Sequence, residues 1–396
     1  MTTVSPQDVL IVASRRTPIG AFQGALAPAA APTLAAAAIG ATLKDAGVGA
    51  DQIDEVLLGC VLSAGIGQAP ARQAALAAGI PTRVPCTTVS KVCGSGMKAV
   101  MIGTDAIRAG SATIVMAGGM ESMTNAPYLL AKARSGYRMG NGELLDHMFL
   151  DGLQNAYDGK LMGVFAEATV RRYGFTRAAQ DAYVAETIAR ASSAGSSGAF
   201  KAELAPVAVK SRKGEFLVSE DEIPPTCDTA RIAGLKPAFD KEGTVTAASS
   251  SSIADGAAAM LLAGAAEVKR LGLTPLARIV AAASFAQEPE WFTTAPVGAI
   301  RRVLERAGWR LDDVDLFEIN EAFAVVTMAA IRDLALDPKR VNVNGGACAL
   351  GHPIGASGAR IITTLVHALR GRGMKRGIAA LCIGGGEATA IAVELT

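Results

Sequence analysis

The last third of the chain repeats the first. Leu43-Lys44-Asp45-Ala46-Gly47 matches Leu304-Glu305-Arg306-Ala307-Gly308, and residues 51–56 match residues 312–317. Ser95-Gly96, followed by a helical run, matches Ser357-Gly358, also followed by one. The glycine run Gly118-Gly119-Met120-Glu121 matches Gly384-Gly385-Gly386-Glu387. Four matches in the same order, at nearly constant offset, imply two similar halves packed together. Ligands of open α/β sheets bind beyond the strand ends, so equivalent loops of the two halves should meet there.

A chain of 396 residues needs more than one hydrophobic core. Half of its residues are hydrophobic, only 5% are aromatic, and 43 are Gly. Such small residues suit backbones packed close together. In the first half, strands are predicted at residues 8–13, 53–59 and 112–116, with a β-type run at 87–89. Helices are predicted at 33–46 (stopped by Gly47), 69–78 and 97–109, and residues 117–122 read as a glycine loop. Strands alternating with helices give an α/β fold with a parallel or mixed sheet covered by helices. Residues 123–252 have another texture, with most of the tyrosines, a Gly/Ser patch at 192–198 and the Pro224-Pro225 break. One helix stands out there, 177–191 with Thr176 as N-cap. The expected division is a first half over 1–122, completed by about 253–273, an insertion over 123–252 and a second half over 274–396.

Lys plus Arg number 38 against 36 Asp plus Glu, a net charge of +2, and no block of like charge points to nucleic acid. Six cysteines (Cys60, Cys86, Cys93, Cys227, Cys348 and Cys382) show no zinc-type spacing and read as reduced thiols in a cytosol. The Ala-rich run 29–43 reads as a core helix rather than a membrane span, and a cytoplasmic location is expected.

Mapped through the repeat, the loops carrying Cys93, Asn320, His352 and Cys382 fall at one edge of the two sheets. Cys93 lies between a β-type run and a helix, where unpaired amides and the helix dipole would lower a thiol's pKa. Taken alone, it fits a buried small hydrophobe equally well. His352 stands among glycines and a proline and could take the thiol proton. Glycine-loop amides could hold an oxyanion, and a second thiol, Cys382, could move a proton to or from carbon or a leaving sulfur. For Cys382 a buried strand end, and for Asn320 a loop cap, are the plain structural alternatives.

The chain resembles the thiolases, acetyl-CoA acetyltransferases and 3-ketoacyl-CoA thiolases, over essentially its whole length. The resemblance rests on Val92-Cys93-Gly94-Ser95-Gly96, Gly118-Gly119-Met120-Glu121-Ser122-Met123, Asn320-Glu321-Ala322-Phe323-Ala324, Gly351-His352-Pro353-Ile354-Gly355 and Cys382-Ile383-Gly384-Gly385-Gly386. It implies duplicated thiolase-type halves in a layered α-β-α-β-α core with an inserted loop domain that holds coenzyme A. It implies Cys93 as acyl-carrying nucleophile, His352 as its activator, and Cys382 as acid/base. His352 and an Asn320-held water would form one oxyanion hole, and the N–H groups of Cys93 and Gly384 the other. Ser251 would touch the pantetheine arm, and Met162, Leu161, Phe323 and Phe292 would line the substrate channel. The implied reaction is the ping-pong Claisen condensation of two acetyl-CoA to acetoacetyl-CoA and CoA. No metal or resident cofactor is implied, coenzyme A being substrate and product. The segment Gly136-Tyr137-Arg138-Met139-Gly140-Asn141-Gly142 resembles the loop of tetrameric thiolases, so a homotetramer built as a dimer of dimers is expected.

Some positions depart from the pattern. Leu161 stands where short-chain biosynthetic members usually carry His, Ser249 and Ser90 where Asn is common, and Phe292 roughly where a Met lines the channel. A thiolase acting on longer 3-ketoacyl chains in β-oxidation therefore stays open. A β-ketoacyl synthase would normally show a second catalytic His and no Cys-x-Gly-Gly-Gly ending. A non-catalytic lipid carrier would have lost Cys93, His352 or Cys382.

Overall fold

The computed structural model describes residues 5, 7–211 and 214–396. Nine strands run through one sheet, in the spatial order Leu316–Ile319, Arg376–Ile383, Glu387–Leu395, Ala277–Ala286, Val9–Arg16, Ala254–Gly264, Ile114–Ser122, Glu55–Gly59, Cys86–Val89. A tenth, Gly20–Ala21, pairs with the start of Ala254–Gly264. The two halves of the order repeat each other. Val9–Arg16, Ala254–Gly264 and Ile114–Ser122 pair antiparallel, and Ile114–Ser122, Glu55–Gly59 and Cys86–Val89 pair parallel. In the second half Ala277–Ala286, Glu387–Leu395 and Arg376–Ile383 pair antiparallel, and Leu316–Ile319 joins parallel. The fifth strand of that half is reduced to one parallel bridge, Phe317 to Val341. The halves join through a short antiparallel ladder, Val9–Ile11 against Ala277–Ile279.

Alternate side chains of each strand serve different layers, as a two-residue period requires. Leu10 and Val12 face the outer helices Ala31–Ala46 and Pro70–Ala77, together with Leu34, Ile39 and Ala74. Val9 and Ile11 face inward and pack with Met97 and Val100 of helix Ser95–Ala109 and with Ile361, Ile362 and Leu365 of helix Ile354–Arg372. The same cluster takes in Leu316, Leu381 and Ile391 of the second half. Beyond it, Ile300 and Val303 of helix Ala295–Ala307 cover Phe317, Ile319 and Ile378. The order is helix, sheet, helix, sheet, helix, with the two central helices shared by both halves.

Those central helices touch through the repeated Ser-Gly pairs. A Cβ on Gly96 would press on the carbonyl oxygens of Gly355 and Ala356 and on the Ala359 amide, and one on Gly358 would overlap the Met97 backbone. The expected glycine loop at 117–122 is instead buried strand, since Ile114–Ser122 continues through it. The glycines there serve close approach: a Cβ on Gly119 would overlap the Gly355 carbonyl oxygen, and one on Gly118 that of Ala258.

Residues 123–252 lie against this frame. Thr176 caps its helix as expected, its hydroxyl accepting the Ala179 N–H at 3.1 Å. That helix runs to Ser197, so the Gly/Ser patch at 192–198 is helical up to the left-handed Gly198 (φ 77°). Exposed small residues weaken a helix only by tenths of a kcal/mol to about 1 kcal/mol each, and packing of Val184, Ile188, Ala191 and Ala194 overrides that. A buried ion pair ties this region to the first strand: Arg16 meets Glu203 at 2.5 Å and Asp221 at 2.7 Å.

Candidate active site

The parallel strands of each half deliver their ends to one place. Cys93 follows Cys86–Val89 by four residues, Asn320 directly follows Leu316–Ile319, and Cys382 is the penultimate residue of Arg376–Ile383. His352 sits just before helix Ile354–Arg372. Cys93, His352 and Gly384 line one cavity of about 220 Å³. Of the residues proposed to hold substrate, Ser251, Met162, Leu161, Phe323 and Phe292 line it too. Phe149, Leu153 and Phe239, which sequence reasoning missed, complete the apolar wall from the inserted region. Phe323 meets Phe239 and Phe292 edge-on, with ring centroids 5.8 and 6.4 Å apart. Asn320 and Cys382 are buried behind the wall rather than on it.

Cys93 does not cap the helix, which begins two residues later at Ser95. It sits in a turn entered through Val92 at φ 46°, a left-handed conformation that strains a β-branched residue. Ser95 holds that turn, its hydroxyl accepting the Lys91 N–H (2.8 Å) and donating to the Val92 carbonyl (2.6 Å). Burial pushes the Cys93 thiol up to about 11, against the backbone N–H groups of Gly384 and of Cys93 itself, which pull it down. The expected lowering of the resting thiol's pKa is therefore corrected: desolvation outweighs two amides and a helix that starts too late. Both amides point at the sulfur, where an acyl oxygen would come to lie.

His352 is neutral at rest, its pKa brought down to about 3 by burial first and then by the Arg360 charge. Ser357 Oγ donates its single proton to the Pro353 carbonyl at 2.9 Å. The 2.5 Å contact between Ser357 Oγ and His352 Nδ1 must then be donated by the ring, which assigns the proton to Nδ1 and the lone pair to Nε2. Asn320 Nδ2 faces Nε2 at 3.4 Å, and Asn320 Oδ1 is buried without a partner among the described residues. Ser357 was legible only as the repeat partner of Ser95. Both hydroxyls do the same work, one for Val92 and Cys93, the other for His352.

Cys382 is fully buried among Phe165, Phe292, Phe323 and Val326. Its thiol is raised well above the ordinary cysteine value by burial first and then by the proximity of Cys93. Two glutamates fix the loops around these groups. Glu121 accepts the N–H groups of Val61 and Leu62 (both 3.1 Å) and of Gly355 (3.0 Å), and burial raises it to about 7. Glu321 accepts from Tyr183 (2.7 Å), Thr187 (2.9 Å), Asn342 (2.9 Å) and the Cys348 N–H (3.0 Å). Among the described residues, no group of three or more His, Cys, Asp or Glu side chains is arranged to hold a metal ion.

Two thiols from different halves, a neutral imidazole with its lone pair on Nε2 and a pair of amides aimed at the first sulfur make a site for acyl transfer by way of cysteine. The family profile of the thiolase N-terminal domain matches residues 9–266, and that of the thiolase C-terminal domain matches residues 273–395. The chain belongs to the thiolase family. It is 51% identical over 387 residues to an acetyl-CoA acetyltransferase of Pseudomonas aeruginosa, covering 97% of this chain and 98% of the relative. It is 49% identical to one of Escherichia coli, covering 98% and 99%. The crystal structure of the Bacillus anthracis acetyl-CoA acetyltransferase superposes with a TM-score of 0.96 at 40% identity, covering 98% of this chain and 99% of that one. The Acat5 thiolase of Ascaris suum, in complex with coenzyme A, superposes with a TM-score of 0.93 at 42% identity, covering 98% and 100%.

Proposed function

We propose that this protein is an acetyl-CoA C-acetyltransferase, an acyltransferase that reversibly condenses two acetyl-CoA to acetoacetyl-CoA and CoA. The observation that carries the reading is the convergence of the Gly384 and Cys93 amides on Cys93 Sγ in a cavity shared with His352. Near-full-length identity to acetyl-CoA acetyltransferases supports the substrate. Coenzyme A is substrate and product, and residues 123–252 act as the loop domain that holds it.

A neutral imidazole with a pKa near 3 does not deprotonate a thiol near 11 at rest. The proton leaves as the sulfur attacks, when charge passes to the thioester oxygen. His352 Nε2 takes the Cys93 proton, a bond forms from Sγ to the acetyl carbon, and the oxyanion is stabilised by the Cys93 and Gly384 amides. The carbon–sulfur bond to CoA breaks, and Cys382 gives its proton to the departing sulfur. Cys382 is then the base for the second half: it removes a proton from the methyl of another acetyl-CoA. The resulting enolate, its oxygen held by His352 with an Asn320-held water, attacks the acetyl group on Cys93, whose oxygen lies on the Cys93 and Gly384 amides. Cys93 leaves as thiolate and recovers its proton from His352. Ser251, Met162, Leu161, Phe323 and Phe292 hold the pantetheine arm and acyl group.

The wall formed by Phe149, Leu153, Leu161 and Ile253 is apolar throughout, which favours a second reading, thiolysis of longer 3-ketoacyl-CoA in fatty-acid breakdown. Thiolysis rates decide. Acetoacetyl-CoA cleaved at least tenfold faster than a six-carbon or longer 3-ketoacyl-CoA supports the acetyltransferase; the reverse order overturns it.

We also propose a homotetramer, a dimer of dimers, working in a reducing cytoplasm. Its support is the segment around Tyr128–Leu129 and Leu145–Asp146, which exposes Tyr128, Leu130, Tyr137, Leu144 and, at 95%, Met139. Light scattering at micromolar concentration should give four chains; a monomer rejects the assembly. No helix among the described residues is long and apolar enough to cross a membrane.

A further inference from the structure

The two amides that meet at Cys93 Sγ stand on turns from different halves, one over residues 91–95, the other over residues 383–387. The strands that lead into these turns, Cys86–Val89 and Arg376–Ile383, lie near opposite edges of the sheet. Among the described residues no backbone hydrogen bond joins one turn to the other. Side chains must therefore set the spacing of the amides. Three contacts cross the gap. Ile383 lies on the bare face of Gly94, where a Cβ would overlap its side chain. Val92 Cγ1 is 3.7 Å from the place a Cβ would take on Gly384. Lys91 Nζ donates to Glu387 Oε2, an ion pair between residues 296 positions apart.

The first two contacts are apolar and fix only how near the turns come. The third is directional and resists sliding of one turn along the other. Both of its ends are held. The Lys91 N–H donates to Ser95 Oγ at 2.8 Å, and the Lys91 carbonyl accepts the Gly94 N–H at 3.0 Å. Glu387 opens strand Glu387–Leu395 and pairs in register with Ile383 and Ala286. The two side chains are 21% and 37% exposed, and a pair so open to water adds little to stability. Its consequence is for geometry.

We propose that Lys91 and Glu387 are positioning residues for acyl transfer: their ion pair spans the two turns and sets where the Gly384 amide stands relative to Cys93. The inference rests on the reading of Cys93 as acyl carrier with its acyl oxygen on those two amides. Neither Lys91 nor Glu387 lines the substrate cavity, so the pair acts only through the turns. A donor stabilises an oxyanion best at about 2.7–3.1 Å, so a small slip of the Gly384 turn weakens the hold on the acyl oxygen. The cavity that receives coenzyme A stays as it was. The loss then falls on kcat and not on KM.

The test compares Lys91→Met, Glu387→Gln, their double variant and Lys91→Arg in the full-length protein. Thiolysis of acetoacetyl-CoA gives kcat and KM. Infrared difference spectra with carbonyl-labelled carbon-13 acetyl-CoA give the carbonyl stretch of the acetyl group on Cys93. Each neutral single variant should lose kcat about 5–20-fold with KM nearly kept, less than the 10²–10³ of a donor removed outright. Its carbonyl stretch should rise by several wavenumbers, because the oxygen is held less firmly. The double variant should be no slower than the slower single. Lys91→Arg, which keeps the charge and the donor, should keep both kcat and the parent's frequency. Glu387→Gln carries the test should Lys91→Met not fold. Parent kcat in the folded neutral variants overturns the proposal. So do additive losses in the double variant, or a loss in Lys91→Arg as large as in Lys91→Met. A fall in kcat with an unmoved carbonyl stretch also overturns it, since the loss then arises away from the amides. A parent that takes no acetyl group on Cys93 sinks the reading of the site; an acetylated parent with unmoved variants sinks only the role of the pair.

Discussion

The two glycine runs occupy equivalent places in the two halves and have opposite uses. Gly118 and Gly119 stay in strand, paired with Ala259 and Ala258, and bring that strand against the second central helix at Gly355. In the other half the strand stops at Ile383, and Gly385 and Gly386 (φ 92° and 89°) turn the chain so that the Gly384 amide reaches Cys93. Duplication has copied the frame and left the loops to diverge. One run became a contact between halves, the other a turn that carries the Gly384 amide to Cys93.

The sharpest test of this division compares the cysteine each half contributes. Cys93→Ala should abolish both acylation and condensation. Cys382→Ser should still trap an acetyl group from radiolabelled acetyl-CoA on acid quench, yet condense at least about 10²–10⁴-fold more slowly, the usual worth of a placed proton-transfer group. Near wild-type condensation by Cys382→Ser would reduce that residue to a buried strand-end thiol.

Next comes the glycine pair. Gly119→Ala forces a methyl group onto the Gly355 carbonyl and should cost roughly 3 kcal/mol or more in urea unfolding. Gly385→Ala meets no atom within 4 Å and has only its backbone conformation against it, so a loss of roughly 1–2 kcal/mol is expected. Equal losses would break the contrast. The serine pair should separate function from stability in the same way. Ser357→Ala frees the His352 ring to change tautomer and should lower kcat about tenfold with the melting temperature nearly kept. Ser95→Ala, which loosens the turn at Val92, should lower both.

A further contrast lies in the pH dependence of stability. Glu121 is raised in the fold to about 7, so its contribution is present below its unfolded value of 4.5 and is lost as pH rises through 7. His352 is depressed to about 3, so its contribution is present above 6.5 and is lost as pH falls through 3. Urea titrations across pH should show Glu121→Gln flattening the alkaline side and His352→Gln the acid side. A variant that flattens the opposite side refutes its assignment.

The frame was legible because duplication repeats order, and order is what a sequence records. The helix end at Gly47 and the Thr176 cap were readable because each rests on one residue's local chemistry. The strand through Gly118 and Gly119 was not, since what makes those glycines necessary is two carbonyls far along the chain, those of Ala258 and Gly355. The thiol pKa of Cys93 was misread for a similar reason. A motif shows the amides, but only packing shows how much water is gone. Ser357 carries no motif beyond its repeat partner, and Glu121 stands in one that does not show its role; each is defined by a partner brought by the fold.

The ladder between halves bears on how the chain is made. Val9–Arg16 is flanked on one side by Ala254–Gly264 and on the other by Ala277–Ala286. Neither partner exists until well over half the polypeptide has left the ribosome. At about 5–20 residues per second, the first strand waits roughly 10–50 s with both edges unpaired. Long-range pairing of this kind is slow and exposes apolar strand edges to other chains. Expression at reduced temperature or with added chaperone should therefore raise the soluble yield, because nascent chains spend that interval open to one another.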